Sequence, residues 1–472
     1  MDLDYSQLLC FDPDFKLVYE QDNRFLYLDS NNANWFRTNN TGQIILEYFK
    51  EGSKSVKSFS KEFSAIYPYS EDTALNVFTK FFLDAIKNGI LINPAKGKSI
   101  SEYPLYKYPA MIWLHLLGEC NLKCSYCYSE SGPKNNFHLE KEDIISFLSK
   151  IPQDFRKDLV ISGGEPMLYK DIVTICKDLF ELGFKITLIT NGTVRHDLYV
   201  EIVDYIETIQ ISFDGSNKEI HDRLRGTGNF EKTIKGLHMA QKIGFKGIVV
   251  SFVPTKLNYK DLPNLPTLLE KCEVSAIHIS ELFYSGRATH GDDELHVEYE
   301  EMKGVIDTFI SEVTKINRNI EYYRRLHKPK ATEFQIRQYL QVSMPETYGR
   351  SPWNMNAKTK YRVKNIDCGL GRGTISINYD GSIYPCSKLH FKELSLGNIN
   401  DEITEILIES EKLARLASVD DADSECYNCN VKYFCSGGCV ATGYSRGCTD
   451  LKLKNPCCNI LKNSIFRDML TL

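Results

Sequence analysis

Cys120, Cys124 and Cys127 stand in the string Cys120-Asn121-Leu122-Lys123-Cys124-Ser125-Tyr126-Cys127, just past an apolar run from Met111 to Leu117. Thiolates bind zinc and iron strongly. Three of them on one short loop can hold three irons of a cubane cluster and leave the fourth iron without a protein ligand. A closed iron–sulfur site uses four thiolates, so a site one ligand short has room for a small molecule. Two plainer readings stay open on these residues alone. One is a zinc loop with a distant fourth ligand, although structural zinc spacings favour paired C-x-x-C units. The other is three unrelated core cysteines.

A second group of residues could serve a polar ligand. In Gly163-Gly164-Glu165-Pro166 the glycines permit close backbone approach and the carboxylate can accept from an ammonium. Asn191, in Thr190-Asn191-Gly192, and Ser212 and Asp214, in Ser212-Phe213-Asp214-Gly215, offer small polar groups for hydroxyls or a carboxylate. Arg225 could pair with a carboxylate or stand solvated at the surface. The backbone of Ser285-Gly286-Arg287-Ala288 could face a base.

The third group is C-terminal. Cys368 is followed by twelve residues, Gly381, four residues and Cys386; then come Cys426-x2-Cys429-x5-Cys435-x3-Cys439, Cys448, Cys457 and Cys458. Nine of the fifteen cysteines lie after residue 360, and only Cys10 precedes residue 120. A zinc ribbon remains an alternative for the Cys426–Cys439 part. Cys10, Cys176 and Cys272 read as small buried hydrophobes.

The elements that must position these groups follow from periodicity. With 472 residues, 42% hydrophobic and 25% charged, the chain has room for two to four domains with substantial cores. A net charge of -5 argues against nucleic acid, and no apolar stretch approaches the eighteen residues of a membrane span. The acidic start Met1-Asp2-Leu3-Asp4 lacks the basic and apolar regions of a signal peptide. So many cysteines without such a signal point to metal sites in a reducing cytoplasm rather than to disulfides.

Residues 1–104 read as a winged-helix-like module. The pattern predicts a hairpin over Phe15–Leu28 turning at Asp22-Asn23, helices over Thr41–Phe49, Ser55–Ile66 and Asp72–Asn88, and a cap at Gly89. Eleven basic against thirteen acidic residues in the first hundred disfavour DNA binding. A purely structural cap is the plain alternative.

Residues 105–290 alternate strand and helix. Strands are expected at Met111–Leu117, Asp158–Ser162, Lys185–Thr190, Thr208–Phe213, Lys246–Phe252 and Ala276–Ser280. Helices are expected at Lys141–Lys150, Asp171–Leu182 and Phe230–Ile243. Six such units predict an α/β fold, a parallel barrel-like sheet that need not close, with its chemistry at the C-terminal strand ends. The cysteine loop falls at one of those ends. Residues 291–365 read as a helical bridge with helices over Glu298–Lys315 and Glu333–Leu340. Residues 366–472 read as short on regular pattern, too poor in apolar residues to hold together alone, and stapled by metal.

The cysteine string resembles the signature of the radical S-adenosylmethionine (SAM) enzymes, and the C-terminal spacing resembles the seven-cysteine SPASM extension. The N-terminal pattern is similar to the leader-binding module of ribosomally made peptide pathways, the RiPP recognition element. The resemblance implies a partial (β/α)6 TIM-like barrel between an N-terminal peptide-binding domain and a C-terminal iron–sulfur domain. It implies three [4Fe–4S] clusters, with SAM capping the open iron of the Cys120/Cys124/Cys127 cluster. SAM would touch Tyr126, Gly163, Gly164, Glu165, Pro166, Asn191, Ser212, Asp214 and Arg225. A distal auxiliary cluster would use Cys426, Cys429, Cys435 and Cys457, with Cys458 as the alternative. A proximal one would use Cys368, Cys386 and Cys439. Some relatives add a cysteine shortly before the first of these, where this chain has Tyr361-Arg362-Val363-Lys364, so the proximal iron would be open unless Cys448 closes it.

By the same resemblance, a leader strand would add to the hairpin edge and lie against the third helix, a form of β-augmentation. A 5′-deoxyadenosyl radical would take a hydrogen atom from a precursor peptide, with flavodoxin or ferredoxin as electron donor. An open auxiliary iron would hold a substrate thiolate and direct the reaction to a thioether. The alternatives are a carbon–carbon peptide cyclase, a sulfatase-maturase-like oxidase and a non-catalytic leader-binding scaffold. Ser387 counts against the oxidase, since in such enzymes an aspartate follows the second C-terminal cysteine. The intact cysteine loop and Gly163–Pro166 turn count against the scaffold.

Overall fold

The computed structural model describes residues 3–95, 108–272, 274–326, 341–343, 365–445, 447–453, 455 and 458–471. At the N-terminus, Phe15–Gln21 and Arg24–Asp29 form the expected hairpin. Asp22 and Asn23 turn it with φ of 52° and 61°, the left-handed pair that a two-residue hairpin loop needs. Asn34–Asn39 adds a third antiparallel strand. Helices follow at Asn40–Lys50, Val56–Ile66 and Glu71–Lys87. Each starts on a side-chain cap: Asn39, Ser55 and Ser70 accept from backbone N–H groups of the first turn. Gly89 (φ 76°) ends the last helix, as its position predicted.

The central strand of this sheet is buried on both faces. Phe25 and Tyr27 pack with Phe15, Phe36, Phe49 and Phe82 under the module's own helices. Leu26 and Leu28, with Trp35, pack instead on Val431, Phe434, Phe466 and Met469 near the C-terminus. The module is thus fastened to the cysteine-rich end of the chain by an apolar seam that burial drives.

All six predicted barrel strands form, at Met111–His115, Asp158–Ser162, Lys185–Thr190, Ile206–Ser212, Gly247–Phe252 and Ala276–Ile279. They are parallel and in sequential order. Helices Lys141–Ser149, Ile172–Glu181 and Asn229–Ile243 cover the outside. Ile112, Leu114, Ile161, Ile186, Leu188 and Ile209 point outward into one core with those helices. The alternate residues Trp113, Thr187, Gln210 and Ser212 stay half-buried, so the inner face of the sheet is partly polar and open.

The sheet continues past both ends of the six-strand unit. Gln341–Ser343 pairs parallel with the sixth strand, and Thr374–Ile377 pairs parallel with the first, Thr374 opposite Met111. Ser382–Tyr384 and Gly397–Asn398 extend it as antiparallel strands. Among the described residues it is an open ten-stranded sheet.

The expectation of a C-terminal region without regular structure or core is corrected by these strands and by helices Ile403–Leu416 and Cys458–Thr471. Ile375, Ile377, Ile383, Ile399, Ile403 and Ile406 belong to the barrel's own hydrophobic core. Strands of two to four residues are too short to show periodicity. The bridge helix runs over Tyr299–Leu326; the expected helix over Glu333–Leu340 lies outside the described residues. No helix among the described residues is long and apolar enough to cross a membrane.

Leu28 is fully buried in the seam. Leu28→Ala should cost about 2–5 kcal/mol of stability, measured as a lower urea midpoint. A variant at the exposed Leu17 (42% exposed) should leave the midpoint nearly unchanged.

Candidate functional site

The cysteine loop leaves the first barrel strand and is tied to the neighbouring strand ends by its backbone. Gly164 N–H donates to the Leu117 carbonyl at 2.7 Å, and Glu165 N–H donates to the Glu119 carbonyl at 2.8 Å. A Cβ on Gly164 would sit 1.9 Å from the Glu119 oxygen, and one on Gly163 (φ 128°) 2.6 Å from the Leu117 oxygen. The glycines are therefore required by close approach to the loop that carries the cysteines.

Asn191 continues the lacing. Its Nδ2 donates to Asn121 Oδ1 at 2.9 Å, and its Oδ1 accepts from the Thr193 hydroxyl at 2.6 Å. On the opposite side, Arg287 grips the loop: Nε donates to the Cys124 carbonyl at 2.8 Å and Nη1 to the Ser131 carbonyl at 2.9 Å. Gly286 (φ 58°) lets this strand-end loop lie against the Cys127 and Tyr128 carbonyls. Arg287 is a positioning residue that the sequence does not single out. A lone arginine in a loop carries no periodic or spacing signal.

Glu165 is fully buried. It accepts from Thr190 Oγ1 at 2.6 Å, Asn191 N–H at 2.7 Å and Met167 N–H at 3.1 Å. A carboxylate has about four acceptor positions, so room for one further donor remains. Pro166, also buried, starts the short turn after it. Asp214 is fully buried too and accepts from the Tyr126 hydroxyl and from Arg225 Nε. Its other oxygen accepts from Val253 N–H at 3.1 Å. Arg225 is 8% exposed, which excludes the solvated alternative. These three side chains are thus spent on one another, and together they pin the cysteine loop to the fourth strand. Ser212, half-buried on the inner face, makes no side-chain hydrogen bond to a described residue and is free to meet a ligand.

Burial, then the nearby Glu165, Cys124 and Cys127 charges, push the Cys120 thiol up to about 12 against the Leu122 N–H that donates to its sulfur. Cys124 is raised as well, by burial first, with Arg225 and Arg287 opposing. Three clustered thiolates, Cys120 buried and Cys124 and Cys127 half-buried, become favourable around bound iron, whose charge offsets their repulsion and desolvation. The donor set fits an iron–sulfur cluster.

The C-terminal thiols fall into two groups. Cys426 and Cys435 each feel the charges of Cys429 and Cys458. Among the described residues Cys458, at the start of the last helix, also lies near this set; Cys457 lies outside them. Cys368, Cys386 and Cys439 interact with one another and line a cavity of about 810 Å³. Cys448 is not among the residues lining that cavity. The same cavity is lined by Trp113 of the first barrel strand and by His278 and Ser280 at the end of the sixth. Cys176 and Cys272 are buried as expected, and Cys10 is half-buried.

Residues 115–268 match the radical SAM superfamily, and residues 368–430 match the iron–sulfur cluster-binding domain SPASM. The chain thus carries a region similar to the radical SAM superfamily and, after it, one similar to a SPASM domain, and these two domains imply [4Fe–4S] clusters and SAM. Among curated relatives, the AdoMet-dependent heme synthase of Methanosarcina barkeri is 25% identical over 352 residues, 71% of this chain and 93% of that one. The mycofactocin maturase MftC of Mycobacterium tuberculosis is 24% identical over 346 residues, 72% and 80% of the two chains. In fold, the chain is similar to SuiB of Streptococcus suis bound to S-adenosylmethionine, with a TM-score of 0.53 at 16% identity over 95% of this chain and 99% of that one. SuiB has also been solved bound to its precursor peptide SuiA.

Gly164→Ala should dislodge the Cys120–Cys127 loop while sparing the distant C-terminal thiols. Iron content after anaerobic reconstitution should fall by about four per chain, one cubane, with the remaining iron retained. Undiminished iron would contradict the lacing of this loop by the Gly163–Glu165 turn.

Proposed function

We propose that this protein is a peptide maturase that installs thioether cross-links between a cysteine sulfur and a carbon of another residue of a ribosomally made precursor. The observation that carries the reading is the trio Cys368, Cys386 and Cys439 on the wall of a cavity shared with the barrel strand ends. In this reading residues 1–104 bind the leader, 105–290 form the radical SAM barrel, 291–365 bridge, and 366–472 hold two auxiliary clusters, three clusters in all. Cys120, Cys124 and Cys127 hold the first cluster. Cys426, Cys429, Cys435 and Cys458 close the distal one. The proximal trio leaves one iron for a substrate thiolate.

Cys120, Cys124 and Cys127 would hold the cluster at which SAM would supply a hydrogen-abstracting carbon radical, with the electron from flavodoxin or ferredoxin. The protein's own residues position and shield. The Asp214–Arg225–Tyr126 group and Arg287 hold the loop still, and Glu165 and Ser212 keep acceptor positions for the amino acid end of SAM. Trp113 and His278 wall the space in which the peptide would lie. The likeness to SuiB extends over the N-terminal module and supports a peptide substrate, as does the similarity to a mycofactocin maturase. The free thiols fit a reducing cytoplasm.

The test is mass spectrometry of a cysteine-containing precursor peptide encoded beside this gene, incubated anaerobically with protein, SAM and reductant. A loss of two hydrogens per cross-linked thiol, with fragmentation blocked inside the ring, is expected. Cys124→Ala should abolish both this loss and 5′-deoxyadenosine release. A product two hydrogens lighter whose thiols still alkylate would overturn the thioether assignment in favour of a carbon–carbon link.

A further inference from the structure

The cavity that holds the second thiol trio also holds a cation. Lys388 lines it two residues beyond Cys386. The ammonium sits 4.1 Å from the centroid of the Phe283 ring, and Phe283 is itself 8% exposed. A cation on an aromatic face gains part of what it loses in hydration, but it gains more from an anion. Among the described residues no carboxylate lies within ion-pair distance of it. Of the other charged groups of this wall, Asp158 stands exposed at the start of the second barrel strand. Glu281 accepts from the Thr442 hydroxyl at 2.8 Å, and Arg372 is paired with Asp367.

His278 stands near enough to feel Lys388. Burial first, and then that ammonium, pull its imidazole down to about 4, so it offers a neutral ring. Its Nε2 lies 3.1 Å from the Ser280 hydroxyl. One end of the cavity thus presents an ammonium, a neutral imidazole and a hydroxyl beside the sulfur ligands. That combination suits a carboxylate, which can take a charge-assisted hydrogen bond from the ammonium and a neutral one from a neighbouring group.

We propose that Lys388 anchors a carboxylate of the substrate peptide in this cavity, next to the Cys368/Cys386/Cys439 trio. The proposal rests on the peptide-maturase reading above and names the residue class that the site selects. The carboxylate comes from an aspartate or glutamate side chain or from the peptide's C-terminus. Held there, it sets which carbon of the substrate lies closest to the sulfur ligand.

Three synthetic peptides separate the sources: acetyl-Gly-Cys-Gly-Gly-Asp-Gly-amide, the same peptide with Asn for Asp, and the Asn peptide with a free C-terminal carboxylate. Dissociation constants are measured by titration of the anaerobically reconstituted protein, wild type, Lys388→Arg and Lys388→Met. A carboxylate peptide should bind wild type about tenfold more tightly than the neutral peptide, the size of one charge-assisted hydrogen bond. Preference for the Asp peptide identifies a side-chain carboxylate, and preference for the free-acid peptide identifies the C-terminus. Lys388→Arg should keep the preference and Lys388→Met should abolish it, with iron content unchanged. Equal binding of all three peptides by wild type overturns the proposal and leaves the maturase reading intact. An equal weakening of all three by Lys388→Met, with loss of iron, also overturns it and assigns the ammonium to cluster charge. Failure of every peptide to bind overturns the proposal and counts against the peptide reading itself.

Discussion

Three thiols on one eight-residue loop must be held together as anions in a place from which water is largely excluded. That electrostatic demand organises the surrounding structure. The loop contributes little of its own rigidity. Backbone hydrogen bonds from Gly164 and Glu165, the side chain of Asn191, the Asp214–Arg225–Tyr126 group and Arg287 each fasten it to a different strand end. Carbonyl oxygens on the loop face arginine donors, so positive charge lies behind the thiolates. The parallel sheet is what lets such fasteners converge, because all its strands end on one side.

The C-terminal strands extend the same sheet. The C-terminal region brings its strands into the barrel sheet beside the first strand and carries Cys386 and Cys439 to the inner face. Its far side accepts the N-terminal sheet through the seam of Leu26, Leu28, Trp35, Phe434 and Phe466. The central strand, buried on both faces, ties the module to the C-terminal region.

Much of this was legible in the residues. The six barrel strands were recovered to within a few residues, since each is a short apolar run bounded by turn signals. Cysteine spacing is legible because metal geometry constrains it directly. The extra strands at Gln341–Ser343 and Thr374–Ile377 were not, being only three and four residues long and stabilised by pairing across more than 60 and 260 positions respectively. Arg287 and the commitment of Asp214 to Arg225 were invisible for the same reason: a polar contact between distant residues leaves no local pattern. Gly163 and Gly164 were legible as glycines that something must approach, and the cysteine loop is one group that does so. The fourth distal thiol turns on a single position: Cys458 lies near the set, and Cys457 lies outside the described residues.

The two thiol trios give the molecule its distinctive chemistry. One would leave an iron for SAM; the other, on the wall of a cavity also lined by Trp113 and His278, would leave an iron for sulfur of the substrate. The most direct measurement is electron paramagnetic resonance of the reduced Cys120→Ala/Cys124→Ala/Cys127→Ala protein, which retains the C-terminal thiols. Spectra are recorded with acetyl-cysteine amide and with acetyl-serine amide. An open proximal iron predicts that the thiol changes the g-values of one cluster while the alcohol does not. Identical spectra with both compounds would contradict a substrate-sulfur site at Cys368, Cys386 and Cys439.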